Sequence, residues 1–213
     1  MQEDKKACIL LGYSGHAYVV AEAYLLSGGH LDGYADRVKN IRNPFALEYA
    51  GSERDDVFPF WKEGNNFILG VGDNKLRHDL GNFVRENGGN CLTVIHPASS
   101  ISSMSIIGSG SFMARNVAVN PLCEIGNDVI LNTSCSIDHE CRIESGAHIA
   151  PGAVLAGNVI IGKRSFIGAN SVIKQGVIIG EDVVIGAGSV VLNDIPSNTI
   201  VVGNPAKILN HTK

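Results

Sequence analysis

The chain has 213 residues, room for one large domain or two modest ones, and at 45% hydrophobic and 18% charged it reads as globular rather than disordered. A net charge of −4 argues against a dedicated nucleic-acid binder, while leaving small anionic ligands open. No apolar run approaches the ~20 residues that cross a bilayer. The charged stretch 1–6 leads straight into a strand, so no signal peptide is expected. Five cysteines without metal-type spacing suit a reduced, cytoplasmic protein.

In chain order, Ala7-Cys8-Ile9-Leu10-Leu11 reads as a short apolar strand ending at the loop Gly12-Tyr13-Ser14-Gly15-His16. Residues 17–26 have helical spacing, and a second strand over 31–35 ends at Asp36. A third, Phe67-Ile68-Leu69-Gly70-Val71, ends at Gly72-Asp73-Asn74; a helix over 75–86 follows, and Thr93-Val94-Ile95 closes the set. This alternation predicts a small parallel sheet, Rossmann-like, with a ligand crevice beyond its strand C-termini. The Gly12–His16 loop can bring backbone N–H groups to a phosphate at a helix N-terminus. Asp36, roughly 20 residues on, stands where a carboxylate can accept from ribose hydroxyls. The spacing is G-x-x-G and the third glycine of G-x-G-x-x-G is absent, so a single nucleotide moiety fits better than a dinucleotide, and a plain structural turn stays open.

From Ile107 the texture changes. Stepping by six from Ile107 to Val191, all fifteen positions are large and apolar, and four residues after them every position from Ser111 to Ser189 is Ser, Val, Cys or Ala. A helix of period 3.6 would scatter this set, whereas six is a multiple of the two-residue strand repeat. Short strands joined by tight corners, coil stacked on coil, make a solenoid with an aliphatic interior. Gly, Asn or Asp just after the aliphatic residue, as at Gly108, Asn120, Gly126, Asn132, Asp138 and Gly162, supplies the expected turn chemistry. The inward Cys123, Cys135 and Cys141 read as packing atoms.

Units such as Ile161-Gly162-Lys163-Arg164-Ser165-Phe166 and Ile185-Gly186-Ala187-Gly188-Ser189-Val190 resemble the hexapeptide-repeat transferases, and so does the closing segment around Ile195-Pro196 and Asn204-Pro205. That resemblance implies a left-handed parallel β-helix assembled as a homotrimer. The order of parts adds detail: the Gly-x-Ser-Gly-His loop, an Asp after the second strand, Val-Gly-Asp-Asn-x-x-Arg, Ile95-His96, then Asn132-Thr133-Ser134 and Asp138-His139-Glu140-Cys141. Together they resemble the bacterial sugar O- and N-acetyltransferases of this superfamily, above all the UDP-4-amino-sugar N-acetyltransferases of the bacillosamine pathway.

The resemblance implies a nucleotide-sugar domain over 1–97 and an acetyl-CoA-binding β-helix over 98–213. His139 would be the general base and Glu140 the group that raises its basicity, with Asp138 an alternative partner. His148 would contact acetyl-CoA, the co-substrate, with the backbone near Ala169 and Ala187 lining the pantetheine track. Ser14, Gly15, His16, Asp36, Arg37 and Gly72 would hold the nucleotide-sugar. Ala169 and Ala187 depart from the Ile and Gly of the bacillosamine-type pattern, and Arg37 stands where that pattern carries an acid.

An ammonium cannot attack a thioester, and a neutral imidazole with the ordinary pKa near 6.5 is a suitable proton acceptor at pH 7. No nucleophilic Ser or Cys is needed for direct attack, so ternary-complex kinetics are expected. Lys163, Arg164, Lys174 and Lys207 are candidates for CoA phosphates or for a solvated face. His96 is expected to pack at the domain junction, and His30, His78 and His211 to face solvent. O-acetylation of a sialic acid or another sugar is the alternative reading, since the same base serves a hydroxyl. A zinc hydrolyase needs three histidine ligands and the repeats carry only His139 and His148, so no metal is expected. A passive solenoid would have no use for the domain in front.

Overall fold

The computed structural model describes residues 6–55, 58–61 and 64–211, with side chains to residue 209; the charged start and the side chain of His211 lie outside the described residues. The first unit is a parallel sheet of β1 (Cys8–Leu11), β2 (Gly33–Ala35), β3 (Asn66–Leu69) and β4 (Asn90–Cys91), in the order β2-β1-β3-β4. Helix α1 (Gly15–Leu26) follows β1 and α2 (Asn74–Glu86) follows β3. All four residues of β1 are buried, as expected of a central parallel strand covered on both faces. The chain order reverses between β1 and β3, which puts the ligand crevice of such a sheet beyond their C-terminal ends, at Gly12 and Gly72. Gly12 must be glycine there: its φ is +82°, and a Cβ would meet Val71 at 3.0 Å.

The second unit is a parallel β-solenoid. Ile107 pairs with Ile125 and Ile125 with Ile143, so one coil takes 18 residues. The strands stack into three faces. Face one runs from Val94–Ile95 through Phe112–Met113, Ile130–Leu131, His148–Ile149, Phe166–Ile167 and Val184–Ile185 to Thr199–Gly203, where Ala206–His211 adds an antiparallel edge. Face two runs from Ser100–Ile101 to Val190–Val191, and face three from Ile106–Ile107 to Ile178–Ile179. The six-step aliphatic register points inward and is almost wholly buried from Met113 to Val191.

Two sequence expectations change here. Val94–Ile95 does not close the first sheet; β4 does, and Val94–Ile95 pairs with Phe112–Met113 as the first strand of face one. The reason is phase, because Ile101 and Ile95 continue the six-residue register backwards from Ile107. The turn residue also sits elsewhere. Left-handed φ recurs three residues after each inward aliphatic, from Gly110 and Asn116 through Asp128, Glu140 and Asn158 to Gly188. The glycines one residue after the aliphatic serve stacking instead: a Cβ on Gly108 would lie 2.4 Å from the Gly126 backbone and one on Gly162 would lie 2.5 Å from that of Gly180.

Small residues four after the aliphatic tie the coils together. Ser111 and Ser165 donate to the carbonyls of Gly126 and Gly180 on the next coil, and Cys123 and Cys141 donate to those of Asp138 and Ala156. The first unit lies against face one. Helix α1 buries Ala17, Val20, Ala21 and Ala23 and packs on both its own sheet and the first strand of face one, so the two cores form one cluster that includes Val94 and Phe112.

Candidate functional site

Beyond β1, Ser14 occupies the N-cap of α1 with extended backbone, yet its side chain makes no capping bond and no acid stands in the first turn. The first amides of α1 therefore keep the positive end of the helix open to an anion, beside Gly15. Asp36, after β2, is already engaged. Its carboxylate accepts from the backbone N–H of Tyr13 at 3.0 Å, from Asn40 Nδ2 at 3.2 Å and from the N–H of Arg37 at 2.7 Å. It thereby holds the Gly12–His16 loop against the β2 end. Arg37 is exposed, and Gly72 lies within 4 Å of the His16 side chain when given a Cβ.

The two units are fastened by a polar knot. Arg77, 1% exposed, donates from Nε to the carbonyl of Asp128 at 2.7 Å and from its other nitrogens to the carbonyls of Gly72, Gly146 and Ala147. Burial lowers its pKa to about 10, with Asp128 opposing the shift, so the guanidinium stays charged at pH 7. Asp128, 0% exposed, pairs with Arg85 at 2.6 Å and His78 Nδ1 at 3.0 Å. His78 is thus no solvent-facing residue; α2 turns it onto the solenoid corner. His96, by contrast with the exposed His30, is buried beside the first coil.

Above this knot the sheet crevice meets face one. His16 stands edge-on to Phe112 with ring centres 5.7 Å apart, and 6.4 Å from His148. His148 is an outward strand residue of face one, edge-on to Phe166 at 5.0 Å, with Nε2 3.1 Å from Asn132 Nδ2. Burial first, then the nearby Arg77 charge, lowers the His16 pKa to about 4 and that of His148 to about 3, so both imidazoles are neutral at pH 7. His16 Nε2 is buried without a partner. A groove of about 670 Å³ opens alongside, between the start of α2 and face one, lined by Gly72, Asp73, Asn74, Lys75, Arg164 and Phe166. Arg164 within it is paired with Asp182.

His139 lies elsewhere. It sits on the corner between faces two and three, about half exposed, with Nδ1 3.0 Å from Glu140 Oε2. Adjacent strand residues point to opposite faces, but Glu140 has a left-handed φ of 60°, which brings the two side chains together. Asp138 takes a different role, its Oδ1 accepting from the backbone N–H of His139 at 2.8 Å and from Asn120 Nδ2 at 2.8 Å. Those bonds, Asn120 first, lower the Asp138 pKa. Ala169 and Ala187 stack one coil apart on the corner between faces one and two.

A family model described as the PglD N-terminal domain matches residues 8–82, and one described as the hexapeptide repeat of succinyl-transferase matches residues 158–193. Perosamine N-acetyltransferase from Caulobacter crescentus, solved as a mutant with CoA and GDP-perosamine, is 30% identical over 96% of this chain and 97% of that one, with a TM-score of 0.87. The chain belongs to the hexapeptide-repeat sugar acetyltransferases. The acetyltransferase domain of PglB from Neisseria gonorrhoeae, solved with acetyl coenzyme A, is 29% identical over 96% of this chain and 99% of that one, TM-score 0.86. WeeI from Acinetobacter baumannii, 24% identical with TM-score 0.86, shares the fold. The solenoid of this sugar acetyltransferase agrees with the left-handed β-helix of the expected fold class.

In this acetyltransferase chain the structure brings Ser14, Gly15, His16, Gly72 and His148 to one crevice and leaves His139 and Glu140 on a distant corner. In the sequence Arg77 stood only within a motif and Asn132 read as turn chemistry, so neither pointed to the site. Asp128 carried no signal at all, because a carboxylate at a solenoid corner reads as turn chemistry until the partner unit is docked on it.

Proposed function

We propose that the chain is an acetyl-CoA-dependent N-acetyltransferase that acetylates the amine of a nucleotide-linked aminosugar, with a UDP-linked 4-amino-4,6-dideoxy sugar as the acceptor. The observation that carries this reading is the paired His139 and Glu140 on an outward corner of an acyltransferase solenoid, joined to a sheet crevice with an open helix N-terminus. The relatives with CoA and GDP-perosamine, and with acetyl coenzyme A, support the same class of reaction. The pyrophosphate would rest on the first amides of α1 at Ser14, Gly15 and His16, and Gly72 would let the sugar pass close to the backbone. Asp36 would reach the ribose and Arg37 the outer edge of the nucleotide. His148, Ala169 and Ala187 would line the acetyl-CoA track.

In a three-sided prism the corner between faces two and three is opposite face one. His139 therefore points away from the crevice of its own chain, and one chain alone cannot place both at one substrate. A second copy must complete the site. Outward Val154 and Val172 on face two and Ile178 on face three flank the His139 corner and are 39–47% exposed, an apolar surface that neighbouring copies of a homotrimer would cover.

At that composite site His139 takes a proton from the sugar ammonium, and Glu140 orients the imidazole and stabilises the imidazolium. The free amine adds to the thioester carbonyl while an N–H group meets the developing oxyanion. Collapse breaks the C–S bond: the imidazolium passes its proton to the departing CoA thiolate, and the surplus N–H proton of the tetrahedral nitrogen then leaves through the freed imidazole to water, giving an amide, a free thiol and one released proton. We place this chemistry in the cytoplasm, which suits five unpaired cysteines.

The test is thiol release from acetyl-CoA with UDP- and GDP-linked 4-amino-4,6-dideoxy sugars. Release with at least one of them, and a product stable to mild alkali, is the expected result. No release with any, or an alkali-labile ester, overturns N-acetylation.

A further inference from the structure

Three groups near the crevice constrain one another. The backbone N–H of Thr133 lies 2.8 Å from Asn132 Oδ1. A backbone N–H can only donate, so that side-chain atom is the amide oxygen. The Nδ2 of Asn132 can then only donate, and it lies 3.1 Å from Nε2 of His148. Nε2 must accept. A neutral imidazole whose Nε2 accepts carries its proton on Nδ1, and an imidazolium here would set donor against donor. Burial against Phe166 and His16, with Arg77 nearby, independently keeps this ring neutral. Among the described residues, no protein group accepts a hydrogen bond from Nδ1.

We infer that Asn132 is a positioning residue for acyl transfer: it holds His148 in the Nδ1–H tautomer, so that the ring offers a neutral hydrogen-bond donor to an acceptor oxygen of the acyl-CoA. This rests on the reading of the chain as a CoA-dependent acyltransferase. A neutral donor suits the task better than an imidazolium. It can stabilise charge that develops on the carbonyl oxygen without giving up its proton to the amine or to the thiolate. Thr133 belongs to the same device, since its N–H fixes which end of the Asn132 amide faces the ring. Nothing in residue spacing alone reveals it, because Asn132 and His148 meet only through the pairing of Ile130 with His148 on adjacent coils.

The experiment is long-range ¹H–¹⁵N correlation on the full chain labelled with ¹⁵N-histidine, with His148→Asn identifying the resonances. At pH 7 the expected spectrum shows His148 Nδ1 protonated and Nε2 unprotonated. A proton on Nε2 of the unmodified protein overturns the inference, whatever the substrate is. Asn132→Asp replaces the donor by an acceptor, so the neutral ring should move its proton from Nδ1 to Nε2, and kcat should fall roughly 10²-fold, as for loss of one oxyanion donor. The KM for acetyl-CoA should stay within about threefold, because a donor used mainly in the transition state adds little to ground-state binding. A protonated Nε2 with unchanged kcat overturns the catalytic part. If Asn132→Asp does not fold, His148→Asn, whose amide nitrogen mimics Nδ1, should retain roughly tenfold more kcat than His148→Gln, whose amide mimics Nε2; equal losses overturn the proposal. Should no nucleotide aminosugar be acetylated, the spectrum still reads the tautomer, so the two readings fail separately.

Discussion

The imidazole of His139 lies directly over Gly157, one coil further on: a Cβ at Gly157 would stand 2.5 Å from Cε1 and 2.6 Å from Nε2 of the ring. Gly157 is not in a left-handed conformation, so its lack of a side chain serves the histidine rather than the turn. In Gly157→Ala the half-exposed ring swings aside. Stability should change by less than about 1 kcal/mol, while kcat should drop about 10²-fold, the usual effect of a small misplacement of a reacting group. Urea denaturation and steady-state rates separate the two; equal rates would mean that the ring position seen over Gly157 is not the working one.

His139→Ala should lower kcat by roughly 10²–10⁴-fold, the range for loss of a general base. Its melting temperature should be nearly unchanged, because the half-exposed side chain pairs with its exposed neighbour Glu140, and such surface pairs contribute little. Rates near those of the unmodified protein would remove His139 from the chemistry.

Because the His139 corner and the α1 crevice face apart, complementation should be visible between chains. Coexpressed His139→Ala chains and Gly15→Trp chains, each inactive alone, should form mixed oligomers with partial activity. Gly15 opens α1 at the crevice outside the left-handed region and with open space where a Cβ would stand, so an indole there fills the anion seat without straining the backbone. Complete inactivity of mixed oligomers would show that one chain builds the whole site.

Asp128 is the buried anion between Arg85, His78 and the Arg77 backbone contact. Asp128→Ala leaves Arg85 without its partner at the junction and should cost about 3–5 kcal/mol, measured by urea unfolding. Arg85→Met should also destabilise, by strict linkage to the same carboxylate. The double variant Asp128→Ala/Arg85→Met should be less destabilised than the sum of the single losses, because the second change removes the orphaned charge.

Stability should also fall on acidification. His16 and His148 have folded pKa values of about 4 and about 3, below the unfolded value near 6.5, so the unfolded state binds more protons between these limits. Their contribution is present above pH 6.5 and is lost as pH falls towards about 4 for His16 and about 3 for His148. Each should remove at most about 2 kcal/mol between pH 6.5 and 5. Melting curves of His148→Asn should show a shallower decline over this window than the unmodified protein; parallel declines would show that His148 does not carry the effect.

The six-residue register alone determined the solenoid, because every sixth side chain from Ile107 to Val191 had to enter one interior and only a strand-based coil allows that. The βαβ unit was legible separately, through unbroken apolar runs such as Cys8–Leu11. What the linear pattern could not carry were relationships across 18-residue coils and between the two units. The contact of His78 with the buried Asp128 and the neutral state of His148 depend on which face the first unit covers, because desolvation and hydrogen-bond partners come from residues distant in the chain, as where Arg77 reaches Gly146. The seat of His139 over Gly157 and the reach of Asn132 to His148 come instead from coil stacking. The single coil positions the side chains; the covered face sets their protonation.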